Sequence, residues 1–75
     1  VSQGEQIIIK NIRRIINQKG MKQKAVAEMA GFTPQEFSHM MNGRKRLAAI
    51  YIPKIADALD VSCNDLFETN QEESA

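Results

Sequence analysis

The sequence predicts an all-α protein, a compact five-helix bundle. Three observations lead there. Apolar residues recur at spacings of three and four, glycines stand where that periodicity stops, and no stretch alternates as a half-buried strand does. A chain of 75 residues has room for one domain and a thin core, because it buries little more than ~60 % of its unfolded surface. A two-domain repressor, a Rossmann unit plus helper, a barrel or a β-propeller is not expected within these residues.

The first helix is expected over residues 6–18. Ile8, Ile9, Ile12, Ile15 and Ile16 form its apolar face. Isoleucine is a mediocre helix former, so packing of that face must supply the stability. Lys19 in the last turn and Gly20 after it end the helix. Lys22 to Ala30 reads as a short second helix with Val26, Ala27 and Ala30 inward, broken by Gly31. Thr33 then acts as N-cap with Pro34 in the first turn. Glu36 stands three residues after Thr33, which completes a capping box. This third helix runs to about Met41, with Phe37, Met40 and Met41 on one face, and Asn42-Gly43 ends it. A basic loop, Arg44-Lys45-Arg46, follows. The fourth helix spans 50–59 with Ile52, Ile55, Ala56 and Leu59 inward and Pro53 confined to the first turn. Ser62 to Phe67 forms a fifth helix with Ser62 as N-cap and Asp65 at the third position, and Phe67 is expected in the core. The domain is expected to end near residue 68. Residues 69–75 read as an acidic, flexible tail.

Composition narrows the function. Apolar residues make up 43 % and charged residues 25 %, ordinary globular values. No apolar run approaches the ~18–20 residues needed to span a bilayer. Ser2, Gln3, Gly4 and Glu5 at the start are polar and show no signal-peptide pattern. The single cysteine, Cys63, allows no internal disulfide, so a reducing cytoplasm is the expected compartment, with nucleoid association when bound. One histidine and one cysteine do not make a four-ligand zinc site. Ser38 and His39 are adjacent in sequence and point apart on a helix, so they are no catalytic pair. No enzyme, cofactor, metal or small-molecule effector is expected.

The net charge of +1 hides a division. Residues 1–46 sum to +6 and residues 47–75 to −5. Such a chain can turn one face to phosphate and keep the other away. Charge alone leaves a merely solvated surface equally open.

A helix, a three-residue turn containing glycine, and a second helix form a helix-turn-helix pattern. Around it stand Ile12, Gly20-Met21, Gln23, Val26-Ala27, Ala30-Gly31-Phe32, Phe37, Asn42-Gly43, Ile55-Ala56, Leu59, Val61 and Leu66-Phe67. In order and spacing, residues 8–68 resemble the Cro/CI-type (XRE) family of bacterial and phage DNA-binding domains. That resemblance implies a lambda-repressor-like fold with the helix-turn-helix formed by helices 2 and 3. It also implies a sequence-specific transcriptional regulator, a repressor by expectation, reading double-stranded DNA. Lambdoid repressors are themselves the standard illustration of this docking geometry. One departure stands out. Many members pair an arginine near the end of helix 1 with a glutamate near the end of helix 3. The matching positions are Ile16 and Met41, which are expected to touch and replace the ion pair by packing.

The resemblance assigns base contacts to Thr33, Pro34, Gln35, Glu36 and His39, with Ser38 beside them. The Gln35 amide suits adenine N6/N7, and Pro34 suits a thymine methyl. His39 can donate or accept at a base edge or a phosphate. Glu36 either accepts from cytosine N4 or only caps the helix and repels phosphate. Phosphate contacts are expected from Gln23, at a helix start whose free N–H groups favour an anion. Lys22 and Lys24 flank it. Asn42, Arg44, Lys45 and Arg46 match a phosphate-contacting segment of the family. Arg13 and Arg14 are either DNA contacts or solvated charges.

One such domain covers a half-site, so a homodimer on a pseudopalindromic operator is expected, at least on DNA. Ile50 and Tyr51 stand where many members are polar and are the candidate dimer interface; Met29 is similarly out of place on helix 2. The competing reading is a protein-interaction module on the same fold, antitoxin-like or bridging, with weak or no specific DNA binding. Glu36 and the acidic tail lean that way, whereas Gln23 and the Arg44–Arg46 loop favour DNA.

Overall fold

A computed structural model describes residues 3–68 as five α-helices and a short 3-10 turn. The elements are α1 (Gln3–Lys19), α2 (Gln23–Ala30), α3 (Pro34–Met41), the 3-10 turn (Ala49–Tyr51), α4 (Ile52–Leu59) and α5 (Cys63–Phe67). There is no strand among the described residues. The expected acidic tail, 69–75, lies outside them.

The helices pack because each brings an apolar face to one core. The largest fully buried side chains are Ile12 of α1, Val26 of α2, Phe37 and Met40 of α3, Ile55 and Leu59 of α4, and Leu66 of α5. No helix here exceeds a few turns apart from α1, and helices this short are marginal alone, so this shared burial makes them stable. α2 packs on α3 and α4, and α1 on α5. Of the predicted isoleucine face, Ile8, Ile12, Ile15 and Ile16 are buried and Ile9 is half-buried. Ile16 and Met41 are both buried in this core.

Most helix ends are closed by the chain next to them. After α2, the Phe32 N–H donates to the Ala27 carbonyl at 2.9 Å and the Gly31 N–H to the Glu28 carbonyl at 3.1 Å. This is a Schellman motif, and it needs a left-handed residue at its pivot. Gly31 supplies it at φ +91°. Open space surrounds the position where its Cβ would stand, so a substitution is resisted by backbone strain and not by a clash. The same pair of bonds ends α1, where Met21 donates to Ile16, and α4, where Val61 donates to Ala56. At α4 the pivot is Asp60, with φ +60°.

Two helix starts carry capping boxes as expected. The Thr33 hydroxyl accepts from the Glu36 N–H at 3.0 Å, and the Glu36 carboxylate accepts from the Thr33 N–H at 3.0 Å. Ser62 and Asp65 repeat the arrangement at α5.

The structure corrects the sequence reading in three places and adds one buried polar residue that the reading does not weigh. α1 begins at Gln3, earlier than expected. Its first-turn Glu5 accepts the Leu47 N–H at 2.8 Å, which ties the start of the helix to the loop after α3 and buries Leu47. The expected helix over 50–59 opens as a 3-10 turn and becomes α-helical only at Ile52. Pro53 has no N–H to give to the preceding turn, and tighter bonds, Tyr51 to Ala48 and Ile52 to Ala49, take over there. Phe67 is 53 % exposed, not in the core, because Leu66 fills the apolar site of the short α5. Asn11, in the middle of the α1 apolar face, is buried. Its Nδ2 donates to the carbonyls of Leu66 and Glu68, each at 2.7 Å, and so closes the end of α5. Every buried side-chain polar atom among the described residues has a partner.

Candidate nucleic-acid interface

The interface is built on α3. Phe37, Met40 and Met41 anchor it in the core, which leaves the opposite face outward. Pro34, Gln35 and Glu36 are exposed there, and Ser38 and His39 are half-buried. The Gln35 amide is exposed at the outer edge of the first turn. Thr33 and Glu36 hold each other in the capping box, so one Glu36 carboxylate oxygen is already occupied by the protein backbone. Capping is therefore a role that Glu36 performs in the free chain.

The end of α3 is equally defined. The Arg44 N–H donates to the His39 carbonyl at 2.8 Å and the Gly43 N–H to the Met40 carbonyl at 3.2 Å, with Gly43 left-handed at φ +80°. The Lys45 N–H also reaches the His39 carbonyl, at 3.1 Å. These bonds fold the basic loop back onto the helix it follows. Arg44, Lys45 and Arg46 project exposed side chains from that turn, and Asn42 is exposed beside them.

Lys22, Gln23 and Lys24 mark the start of α2. Lys22 occupies the N-cap position and provides no side-chain cap. Its φ of −104° and ψ of 138° turn the chain into the helix, and the first main-chain bond back to it comes from Val26. The N–H groups ahead of Val26 carry the positive end of the helix dipole, and two exposed lysines stand beside them.

Two arginines left ambiguous by the sequence have protein partners. Arg13 Nη2 donates to the Met41 carbonyl at 3.0 Å and makes a longer contact, 3.4 Å, with Asn42 Oδ1. Arg14 Nη2 donates to Asn11 Oδ1 at 3.1 Å. The arginine that reaches the end of α3 thus sits one turn before Ile16. The sequence reading leaves Arg13 between DNA contact and solvated charge, and no local pattern marks this partner.

Of the candidate dimer residues, Ile50 is 70 % exposed, whereas Tyr51 is half-buried with its ring edge-on to Phe32 at 5.0 Å. Met29 is exposed on α2. Among the described residues no group of His, Cys, Asp or Glu is placed to hold a metal ion, and no helix is long and apolar enough to cross a membrane.

This geometry has close counterparts. The hypothetical transcription factor NHTF from Neisseria superposes with a TM-score of 0.84 at 26 % identity, covering 96 % of this chain and 83 % of that one. The restriction-modification controller protein C.AhdI from Aeromonas hydrophila gives 0.72 at 25 % identity, covering 80 % and 87 %. The clp gene regulator ClgR from C. glutamicum gives 0.77 at 21 % identity, covering 88 % and 86 %, and shares the fold. No curated protein matches the chain. The family pattern of the Cro/C1-type HTH DNA-binding domain matches residues 11–72. With five helices in this order and that pattern over most of its length, the chain belongs to the Cro/C1-type helix-turn-helix DNA-binding family.

Proposed function

We propose that the chain is a sequence-specific regulator of transcription, a repressor, that reads the major groove of double-stranded DNA with α3. The observation that carries this reading is the outward face of α3, with exposed Gln35 at its start and the Arg44–Arg46 loop folded onto its end. The major groove is wide enough to take a helix, and base edges there discriminate all four pairs. Gln35 and His39 are the main base-reading side chains, with Pro34 and Ser38 beside them and Thr33 and Glu36 holding the helix start. Gln23, Lys22 and Lys24 meet phosphate at the start of α2, as Asn42, Arg44, Lys45 and Arg46 do after α3. One domain covers a half-site, so the chain acts as a homodimer on a pseudopalindromic operator, with Ile50 the exposed apolar residue available to the contact. Occupying a site that overlaps a promoter excludes polymerase, which makes repression the expected sign. The likeness to NHTF, a hypothetical transcription factor, and to C.AhdI, a restriction-modification controller protein, supports the regulatory class.

Selection of duplexes from a random pool, followed by titration at two salt concentrations, tests the reading. Gln35→Ala relaxes base preference at one position by ~1–3 kcal/mol, while Arg46→Ala weakens all sequences alike. Equal, sequence-independent losses from both changes would place the recognition face elsewhere. No binding even at low salt would leave the protein-interaction module as the reading.

A further inference from the structure

We propose that Arg13 is a positioning residue for the DNA-reading helix, acting through the end of α3 and not through phosphate. The inference rests on α3 being the reading helix. The carbonyls of the last turn of α3 are almost fully accounted for. Ser38 accepts from the Asn42 N–H, His39 from Arg44 and Lys45, and Met40 from Gly43. The Met41 carbonyl lies outside this main-chain pattern, and Arg13 Nη2 donates to it at 3.0 Å. A guanidinium there also meets the negative end of the helix dipole. The same nitrogen lies 3.4 Å from Asn42 Oδ1, which turns the Asn42 Nδ2 toward Ser38 Oγ at 3.4 Å. A chain of polar contacts therefore runs from α1 through Asn42 to Ser38 on the outward side of α3. Arg13 sets the orientation of the Asn42 amide and the Ser38 hydroxyl before DNA arrives. Ser38 lies beside the base-reading side chains, so holding its hydroxyl favours the one register in which it is used, whereas a phosphate contact by Arg13 itself would help every sequence equally.

Fluorescence anisotropy on two labelled duplexes decides the matter: the one that the wild-type chain selects from a random pool, and a shuffled version. Circular dichroism first establishes that the variants are folded. Arg13→Met lowers affinity for the selected duplex about three- to tenfold, the loss expected from one or two hydrogen bonds. Affinity for the shuffled duplex falls less, and the slope of log affinity against log salt is unchanged. Arg13→Lys keeps the charge, gives up the planar fork and is impaired like Arg13→Met. Equal loss on both duplexes, a slope shallower by about 0.9 and full rescue by lysine are the signature of a phosphate contact and overturn the proposal. Amide hydrogen exchange on the free protein supplies an arm that needs no DNA. Arg13→Met speeds exchange at Asn42, Gly43 and Arg44, and unchanged rates there also overturn the proposal. A wild-type chain that does not distinguish the two duplexes refutes the DNA reading and takes this role with it, an outcome separate from the exchange result.

Discussion

α2 and α3 are both eight residues long and are joined by three, yet they begin in opposite ways. α3 starts closed: Thr33 and Glu36 satisfy each other's N–H groups, and Pro34 removes one more donor. α2 starts open: Lys22 caps nothing, and the leading N–H groups lie between two exposed lysines. A closed start suits a helix whose side chains are to be presented in fixed positions. An open start suits a helix whose backbone is itself a binding group, because an anion can complete it. Under the function proposed above, the difference separates two tasks, reading with side chains at α3 and gripping with main chain at α2.

The largest expected effect removes the comparison altogether. Phe37 is fully buried on α3, and its ring lies 6.2 Å from that of Phe32 in the turn between the two helices. Phe37→Ala leaves a cavity at the seam and costs about 3–5 kcal/mol, comparable with the whole stability of a small domain. Thermal unfolding followed by circular dichroism would show a lost or sharply lowered transition. A native-like melting curve would mean that α2 and α3 are held by something other than this core.

Lys22→Asp attacks the difference directly by giving α2 the cap it lacks. The free protein gains about 0.5–2 kcal/mol. DNA affinity falls by at least about tenfold, since a carboxylate facing phosphate costs several kcal/mol, and the salt slope becomes shallower. Stability and affinity moving in opposite directions is the diagnostic pattern. If both rise, the open end of α2 does not meet DNA. Thr33→Ala is the converse change at α3 and costs about 1 kcal/mol in chemical denaturation. The smallest effect is expected from Glu36→Gln. A glutamine still accepts the Thr33 N–H, so stability shifts by only a few tenths of a kcal/mol or about that. Removing a negative charge from the α3 start raises affinity for random duplex. A loss of preference at one base pair would instead show that Glu36 reads cytosine.

The features legible in the sequence are those written within one or two turns. The Thr33-Pro34-Gln35-Glu36 start, the Ser62 to Asp65 box and the inward residues of α2, α3 and α4 all lie where their local spacing puts them. What escaped depends on residues far apart in the chain. Asn11 draws no reading from the sequence, and its role appears only when α5 stands beside it. Glu5 reads only as part of a polar start ahead of the first helix, and its bond to Leu47 crosses 42 positions. Arg13 adds to a basic total, and nothing local shows that its partner is a carbonyl of α3. The Leu66-Phe67 pair offers two apolar candidates for one core site, and only the packing of α1 on α5 selects Leu66.

The closing bonds of the helices also carry a kinetic meaning. α1 to α4 each stop through main-chain contacts between residues at most six apart, so those ends can form while the rest of the chain is still unfolded. α5 ends on a single helical bond, from the Glu68 N–H to the Asn64 carbonyl at 3.1 Å, and its Leu66 carbonyl is taken by Asn11, 55 positions away. Local structure forms quickly, while contacts between distant residues must first bear the entropy of closing the loop between them. The docking of α1 against α5 is therefore expected late in folding. Replacing Asn11, which joins the two, is then expected to speed unfolding more than it slows folding, as stopped-flow kinetics would show.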